Sequence, residues 1–355
     1  MIENKKNTPP RNPFSFQLDP ALFEKASAKE KEELVIMRQG VTYWQDAMRR
    51  FRKNPVAMGS LVVIILIFII AFIIPSFYSY SYEQQIRGSE DLRPMQYSAE
   101  EQVRIDAGEK VFPHFLGTDN LGRDMTIRIM YGTRISVLVG LIASMIILII
   151  GSIYGAVSGY AGGTVDIVMM RLVDIIYTVP DILIIILLMV TIKVPLKILF
   201  ASNPVFKPLD AIGPGLISIF IAFSLLYWVG MARMVRGQIL MLKEQEYVTA
   251  ARALGAKNSR IIFKHLIPNC IGTIIVTTSL QIPSAIFTES FLSFLGLGVS
   301  APMPSLGSLA ANAIGGITTY TYRLMAPAIM ISIVILAFNL FGDGLRDAFD
   351  PKMKK

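Results

Sequence analysis

The chain has 355 residues, of which 53% are hydrophobic and only 17% charged, and its formal net charge is +8. Ordinary soluble domains carry roughly a quarter charged residues, so the composition excludes a soluble globule, a disordered chain and a disulfide-stapled secreted domain. One cysteine, Cys270, and two distant histidines, His114 and His265, exclude an internal disulfide and argue against a metal centre.

Residues 1–56 are polar, contain prolines and carry both charge signs. They lack the apolar core of a secretory signal and read as a cytoplasmic segment. Residues 57–74 are the first of six apolar runs. The others are 136–158, 172–192, 211–231, 271–292 and 325–342, each 18 to 23 residues long. That approaches the roughly 20 residues a helix needs to cross a bilayer core. The expected fold is therefore an all-α polytopic membrane protein with six transmembrane helices. Residue 57–74 is an anchor, 75–135 an external loop, 136–342 a five-helix core and 343–355 a tail. The loops alternate between 23 basic residues on one side and 11 on the other. By the positive-inside rule both termini lie in the cytoplasm. The positive charge thus records topology, and nucleic acid is not an expected partner.

In the external loop, residues 83–109 are mixed in charge and weakly periodic. Two glycines then mark turns in His114-Phe115-Leu116-Gly117-Thr118-Asp119-Asn120-Leu121-Gly122-Arg123-Asp124. Asp119 can cap a short helix, with Leu121, Met125 and Ile129 on one face and Asp124 paired to Arg128. That helix either lies amphipathically along the outer interface or simply leads into the second span.

The spans hold three ionisable groups, Asp174, Asp181 and Glu289. Intramembrane charges are candidate functional residues. Pro180-Asp181 interrupts the third span, and broken helices line cavities. Pro180, Asp181 and Glu289 are therefore candidate pathway residues, against the alternative that Glu289 merely faces outer water. Gly151, Gly155 and Gly159 form a small-residue stripe suited to close helix contact, and packing within the chain is favoured over a dimer interface.

The loop 243–269 separates spans four and five. Residues from Glu244 to Leu254 favour helix, with Tyr247, Ala250, Ala251 and Leu254 on one face. Gly255 stands where a left-handed stop wants glycine. Asn258 or Ser259 can cap a second helix that Pro268 ends. This pair of short helices is either a docking knob for a cytoplasmic protein or a hairpin packed on its own membrane domain.

The segment Tyr247-Val248-Thr249-Ala250-Ala251-Arg252-Ala253-Leu254-Gly255, with His265, Ile267 and Pro268 after it, resembles the EAA signature of membrane subunits of bacterial binding-protein-dependent ABC importers. Thr249 and His265 depart from the general pattern and look like its peptide-transporter branch. The stretch from Phe115 to Asp124, with Tyr131-Gly132-Thr133-Arg134-Ile135-Ser136, resembles C-type permeases of dipeptide, oligopeptide and nickel systems. So do Phe291-Leu292-Ser293-Phe294-Leu295-Gly296-Leu297-Gly298, with Pro302 and Pro304-Ser305-Leu306-Gly307, and Arg52-Lys53-Asn54-Pro55. The resemblance runs from about residue 45 to the end.

It implies the type I ABC importer fold, with the external loop inserted after the first helix, in a bacterial cell membrane. It implies a homologous B-type permease subunit, two cytoplasmic ATPase subunits and a lipid-anchored extracellular peptide-binding protein as partners, with an oligopeptide as substrate. Dipeptides or nickel-type substrates are the alternative. Glu246, Tyr247, Ala250, Ala251, Arg252, Gly255, Ala256, His265 and Pro268 would form the ATPase-coupling element. Gly117, Thr118, Asp119, Gly122, Arg123 and Asp124 would belong to the external docking loop. No G-x-x-x-x-G-K-[ST] phosphate loop occurs, so ATP and Mg would be bound by the partners and the chain would not be an enzyme. A self-contained secondary transporter is the rival from another class. It would need ionisable groups at mid-membrane, and few are present.

Overall fold

The structure is a computed structural model that describes residues 42–203, 206–210, 212–299 and 301–349. The chain divides after Asp46, and the larger unit carries all six membrane-length helices. The expectations for residues 1–41 and 350–355 lie outside the described residues.

Helix α1 spans Tyr43–Lys53. Asn54 then leaves helical geometry and its side chain accepts hydrogen bonds from Val56 N and Ala57 N. Pro55 occupies the first helical position, where a missing N–H costs nothing. This cap starts α2, Pro55–Phe68, which continues as a π turn, Ile69–Ile73, and a 3-10 turn, Ile74–Phe77. The loosened end is held from outside. Arg134 donates from Nε to Ala71 O at 2.8 Å and from Nη2 to Phe72 O at 3.3 Å, and its guanidinium sits over the Tyr131 ring.

A lobe follows, containing one short helix, α3 at Ala99–Asp106, closed by a capping box between Ser98 and Glu101. Asp124 caps α4, Met125–Ala161, a single 37-residue helix. Of the two expected arrangements, the helix that leads directly into the second span is the one present. Met125 and Ile129 are buried on the first turns of the span itself. Asp119 shapes the preceding turn instead of capping, and Arg128 lies nearest Asp119 (3.6 Å), not Asp124. A cap must sit directly before the first helical N–H groups it satisfies, and only Asp124 does.

Two glycines of positive φ, Gly162 and Gly163, turn the chain into α5, Gly163–Thr178. The third apolar run is not one helix. It breaks at Val179-Pro180, and α6 runs Asp181–Ser202. The span is thereby shifted outward, and Lys193 and Lys197, expected in a loop, lie within α6. Lys193 Nζ reaches the carbonyls of Gly296 and Leu297 at 3.5 and 3.4 Å. After the short α7, Lys207–Asp210, come α8, Pro214–Leu226, and α9, Trp228–Leu242, which together make the fourth span.

α10 spans Glu246–Ala253. The fifth span starts earlier than its apolar run, with α11 at Asn258–Arg260. Pro268 does not end this helix. It cannot donate to the carbonyl four residues back. The ladder absorbs the defect as a π segment, Ile261–Leu266, in which Ile267 N donates to Ile262 O. The helix then continues as α12, Ile267–Phe294. α13, Leu306–Ala313, and α14, Tyr322–Phe349, complete the fold.

The helices pack as α4 on α9 and α12, α14 on α12 and α2, and α6 on α8. The glycine stripe explains the first pairing. A Cβ at Gly151 would lie 2.5 Å from Met231 Cβ, and one at Gly155 would overlap Ala232 O. The stripe thus lets α4 and α9 approach within the chain, as expected. Among the described residues regular structure is helical, with one isolated antiparallel bridge between Thr118 and Asp124.

Candidate coupling element and translocation cavity

α10 is stopped as the glycine signal predicts. Gly255 takes φ +76°, Gly255 N donates to Arg252 O at 3.0 Å and Ala256 N to Ala251 O at 3.1 Å. This double closure satisfies the last carbonyls of the helix and requires a left-handed residue at the glycine. The helix is shorter than expected because Gln245 N bonds Leu242 O, which makes residues 243–245 a turn.

The helix is anchored by one buried side chain. Val248 is fully buried among Ile239, Ile261, Ile262, Leu266 and Cys270. The face read from the sequence points elsewhere. Of its four residues only Ala251 packs against this core, while Tyr247 and Ala250 are exposed and Leu254 is 88% exposed. Glu246, Arg252 and Pro268 are also exposed, and Ala256 and His265 are half-buried. Arg252 lies over the Tyr160 ring at 5.5 Å, and Tyr160 Oη bonds Asn258 Oδ1 at 3.0 Å. Lys243 Nζ donates to Gly159 O at 3.1 Å. Asn269 Nδ2 joins His265 O (2.6 Å) to Tyr247 Oη (3.4 Å). The element is thus seated on the ends of α4 and α12. Val248 and these bonds tie α10 to two spans.

The break between α5 and α6 opens a cavity of about 550 Å³. Pro180 and Asp181 line it together with Tyr177, Thr178, Tyr227 and Gln281. Glu289 does not. It is completely buried, with Ser136 Oγ and Ser293 Oγ each donating at 2.7 Å. Ser293 Oγ also accepts from Val299 N at 3.1 Å, so this carboxyl ties α4, α12 and the segment after α12. Asp174 faces outward and pairs with Arg233 at 2.7 Å. A second pair, Asp166 with Arg236, is bidentate at 2.6 Å, and Ser158 donates to the same carboxylate. These two bridges clamp α5 to α9. They, Tyr227 and Gln281 escaped the sequence reading. Arg233 and Arg236 are three apart on one helix face, the only local hint.

Five of the six residues expected in the docking loop are buried: Gly117, Thr118, Asp119, Gly122 and Asp124. They build the lobe instead of its outer face. Thr118 Oγ1 donates to Ser89 O and accepts from Leu92 N, and Asp119 accepts from Leu121 N and Arg123 Nε. Arg323 on α14 binds Asp91 and Thr118 O, joining the lobe to the last span. At the lobe's centre His114 is fully buried between Asp124 (Nδ1, 2.7 Å) and Glu101 (Nε2, 3.1 Å). Burial disfavours its charge, but the two carboxylates outweigh burial and raise its pKa above the usual value. The large apolar side chains the lobe exposes include Met95, Val103, Phe112, Phe115 and Leu121.

No group of three or more potential metal ligands occurs among the described residues. The family profile described as "Binding-protein-dependent transport system inner membrane component" matches residues 147–355, and that of "N-terminal TM domain of oligopeptide transport permease C" matches residues 42–94. The oligopeptide transport system permease protein OppC of Bacillus subtilis is 42% identical over 334 residues, covering 94% of this chain and 98% of the relative. The dipeptide transport system permease protein DppC of the same organism is 42% identical over 328 residues, covering 92% and 91%. OppC of Escherichia coli K12 is 37% identical over 314 residues, covering 88% and 93%. Six membrane-length helices, a capped helix carrying the EAA-type segment and these matches lead to one conclusion: the chain is a multi-pass membrane protein belonging to the inner membrane components of binding-protein-dependent transport systems, in the branch of the oligopeptide- and dipeptide-type C permeases.

Proposed function

We propose that this chain is half of the membrane pathway of an ATP-driven importer of oligopeptides, moved by a cytoplasmic ATPase pressing on α10. The observation that carries the reading is the apolar face of α10. Tyr247, Ala250 and Leu254 are exposed while Val248 is locked in the core, and an exposed apolar stripe on a rigid element calls for a partner. The partners are a homologous B-type permease subunit, two ATPase subunits that bind ATP and Mg, and a lipid-anchored extracellular binding protein that meets the lobe. The basic-residue bias supports a topology with both termini and α10 in the cytoplasm and the lobe outside. Pro180 and Asp181 line the pathway. Glu289 acts beside it as a strut.

The resemblance to a dipeptide permease is as strong as that to an oligopeptide one, so dipeptides are the second reading. Co-purification of the tagged chain, followed by uptake of labelled di-, tri- and pentapeptides into proteoliposomes, tests both. Recovery of ATPase subunits and ATP-dependent uptake is expected. Uptake that persists without ATP would favour an ion-driven transporter and end the proposal.

A further inference from the structure

We infer that the cavity at the α5–α6 break is a subsite for an ammonium group of the transported peptide, with Asp181 as its counter-ion. This rests on the import reading above and names what one site along the pathway recognises.

The argument begins with the broken helix. Pro180 has no N–H to offer the carbonyl of Ile176, so α5 ends there and turns its last carbonyls toward the gap. Those carbonyls form the negative end of a helix dipole. Asp181 stands directly across the gap and is exposed. Its Oδ1 accepts from the adjacent Ile182 N at 2.8 Å. The Tyr227 hydroxyl, bonded to Thr288 Oγ1 at 3.0 Å, interacts with the same carboxylate. The remaining polar wall is Thr178 and Gln281.

No lysine or arginine lines the cavity. The nearby guanidinium of Arg233 lies over the Tyr177 ring at 4.2 Å but is already neutralised by Asp174. The lining therefore holds one carboxylate and no lysine or arginine of its own, and the rings of Tyr177 and Tyr227 add faces that favour a cation. Tyr227 and Gln281 fall near the middle of their spans, and Asp181 opens the third span beside them. At about 550 Å³ the cavity has the size of a small-ligand site. A single carboxylate with backbone carbonyls suits a monovalent organic cation, which every free peptide carries at its N-terminus.

The test uses the assembled importer in proteoliposomes, with uptake per assembled complex measured for tri-alanine and for Ala-Lys-Ala. Asp181→Asn keeps an accepting oxygen for Ile182 N but removes the charge. Gln281→Lys introduces a competing cation from a different helix and leaves Asp181 unchanged. Both are expected to slow tri-alanine uptake about tenfold, and Asp181→Glu to retain at least a third of it. A loss confined to Ala-Lys-Ala would still support an ammonium subsite, reading a side chain instead of the terminus. Wild-type rates for both peptides in both variants would overturn it. Failure of the wild-type complex to import either peptide would instead refute the import reading itself.

Discussion

Gly255 is the residue on which coupling through α10 depends most directly. At φ +76° it closes two hydrogen bonds, and a Cβ built there meets nothing within 4 Å. The cost of a side chain is therefore local backbone strain alone, with no clash to confuse it. A β-branched residue forced into a sparsely populated backbone region costs about 1–3 kcal/mol. At 1.4 kcal/mol per tenfold, the closed turn loses roughly 5- to 150-fold relative to opened forms. A helix that no longer stops at residue 253 no longer presents Leu254 and Tyr247 in one place. Gly255→Val should therefore cut ATP-dependent uptake several-fold or more. Gly255→Ala should fall between, and Gly255→Asn, which tolerates the left-handed region, should stay near wild type. Membrane level of the chain, followed by immunoblot, should be unchanged in all three, because the site is exposed and remote from the packed spans. Equal uptake in the Val and Asn variants, or loss of the Val variant from the membrane, would refute the reasoning.

Three further outcomes follow from buried groups. His114 has a raised folded pKa, so the stability it lends the lobe is complete below its unfolded value near 6.5 and is lost as pH rises through the folded value. Glu101, Asp124 and the stacked Tyr80, itself pushed up to about 12 by burial, face it. Protection factors across residues 86–124, which divide out the intrinsic base catalysis of exchange, should fall as pH rises above about 6.5, and His114→Ala should remove that fall. Glu289→Ala orphans the buried Ser136 and Ser293 hydroxyls, at about 1–3 kcal/mol for each. It should lower the detergent melting temperature clearly, whereas Glu289→Gln, which can still accept, should lower it less. Gly155→Val drives a side chain into Ala232 O and should cost at least about 1–3 kcal/mol. Little folded protein should be recovered on size-exclusion chromatography, while Gly230→Ala, with open space around it, should behave as wild type.

The misreadings in the sequence share a cause. Pro180 and Pro268 look alike as helix breakers, yet one ends α5 and the other is absorbed into a continuous span. The difference is in what surrounds them. Around Pro268 the buried Ile261, Ile262 and Leu266 hold the helix in place and let its ladder slip to a π turn. At Pro180 the α5 side is half bare and open to a cavity. Asp119 and Asp124 are both plausible caps by type, and the start of α4 directly after Asp124, whose carboxylate the buried His114 and the half-buried Tyr78 hold, decides between them. The α10 stripe was legible as apolar, but which of its residues face home depends on α12, a distant segment.

What the sequence determined by itself was everything carried by local chemistry. The number of spans follows from apolar run length, the α10 stop from a glycine at a left-handed position, and the α2 start from Asn54-Pro55. A close helix contact on α4 is written in glycines spaced by four, though its partner is not. What only the tertiary structure decided was which polar side chains meet. The Asp166–Arg236 clamp, the serine enclosure of Glu289 and the meeting of Asp181 with Tyr227 and Gln281 join residues tens of positions apart or more. Membrane helices are set one by one by hydropathy. Their rotation and depth against each other are set by packing, which no single segment encodes.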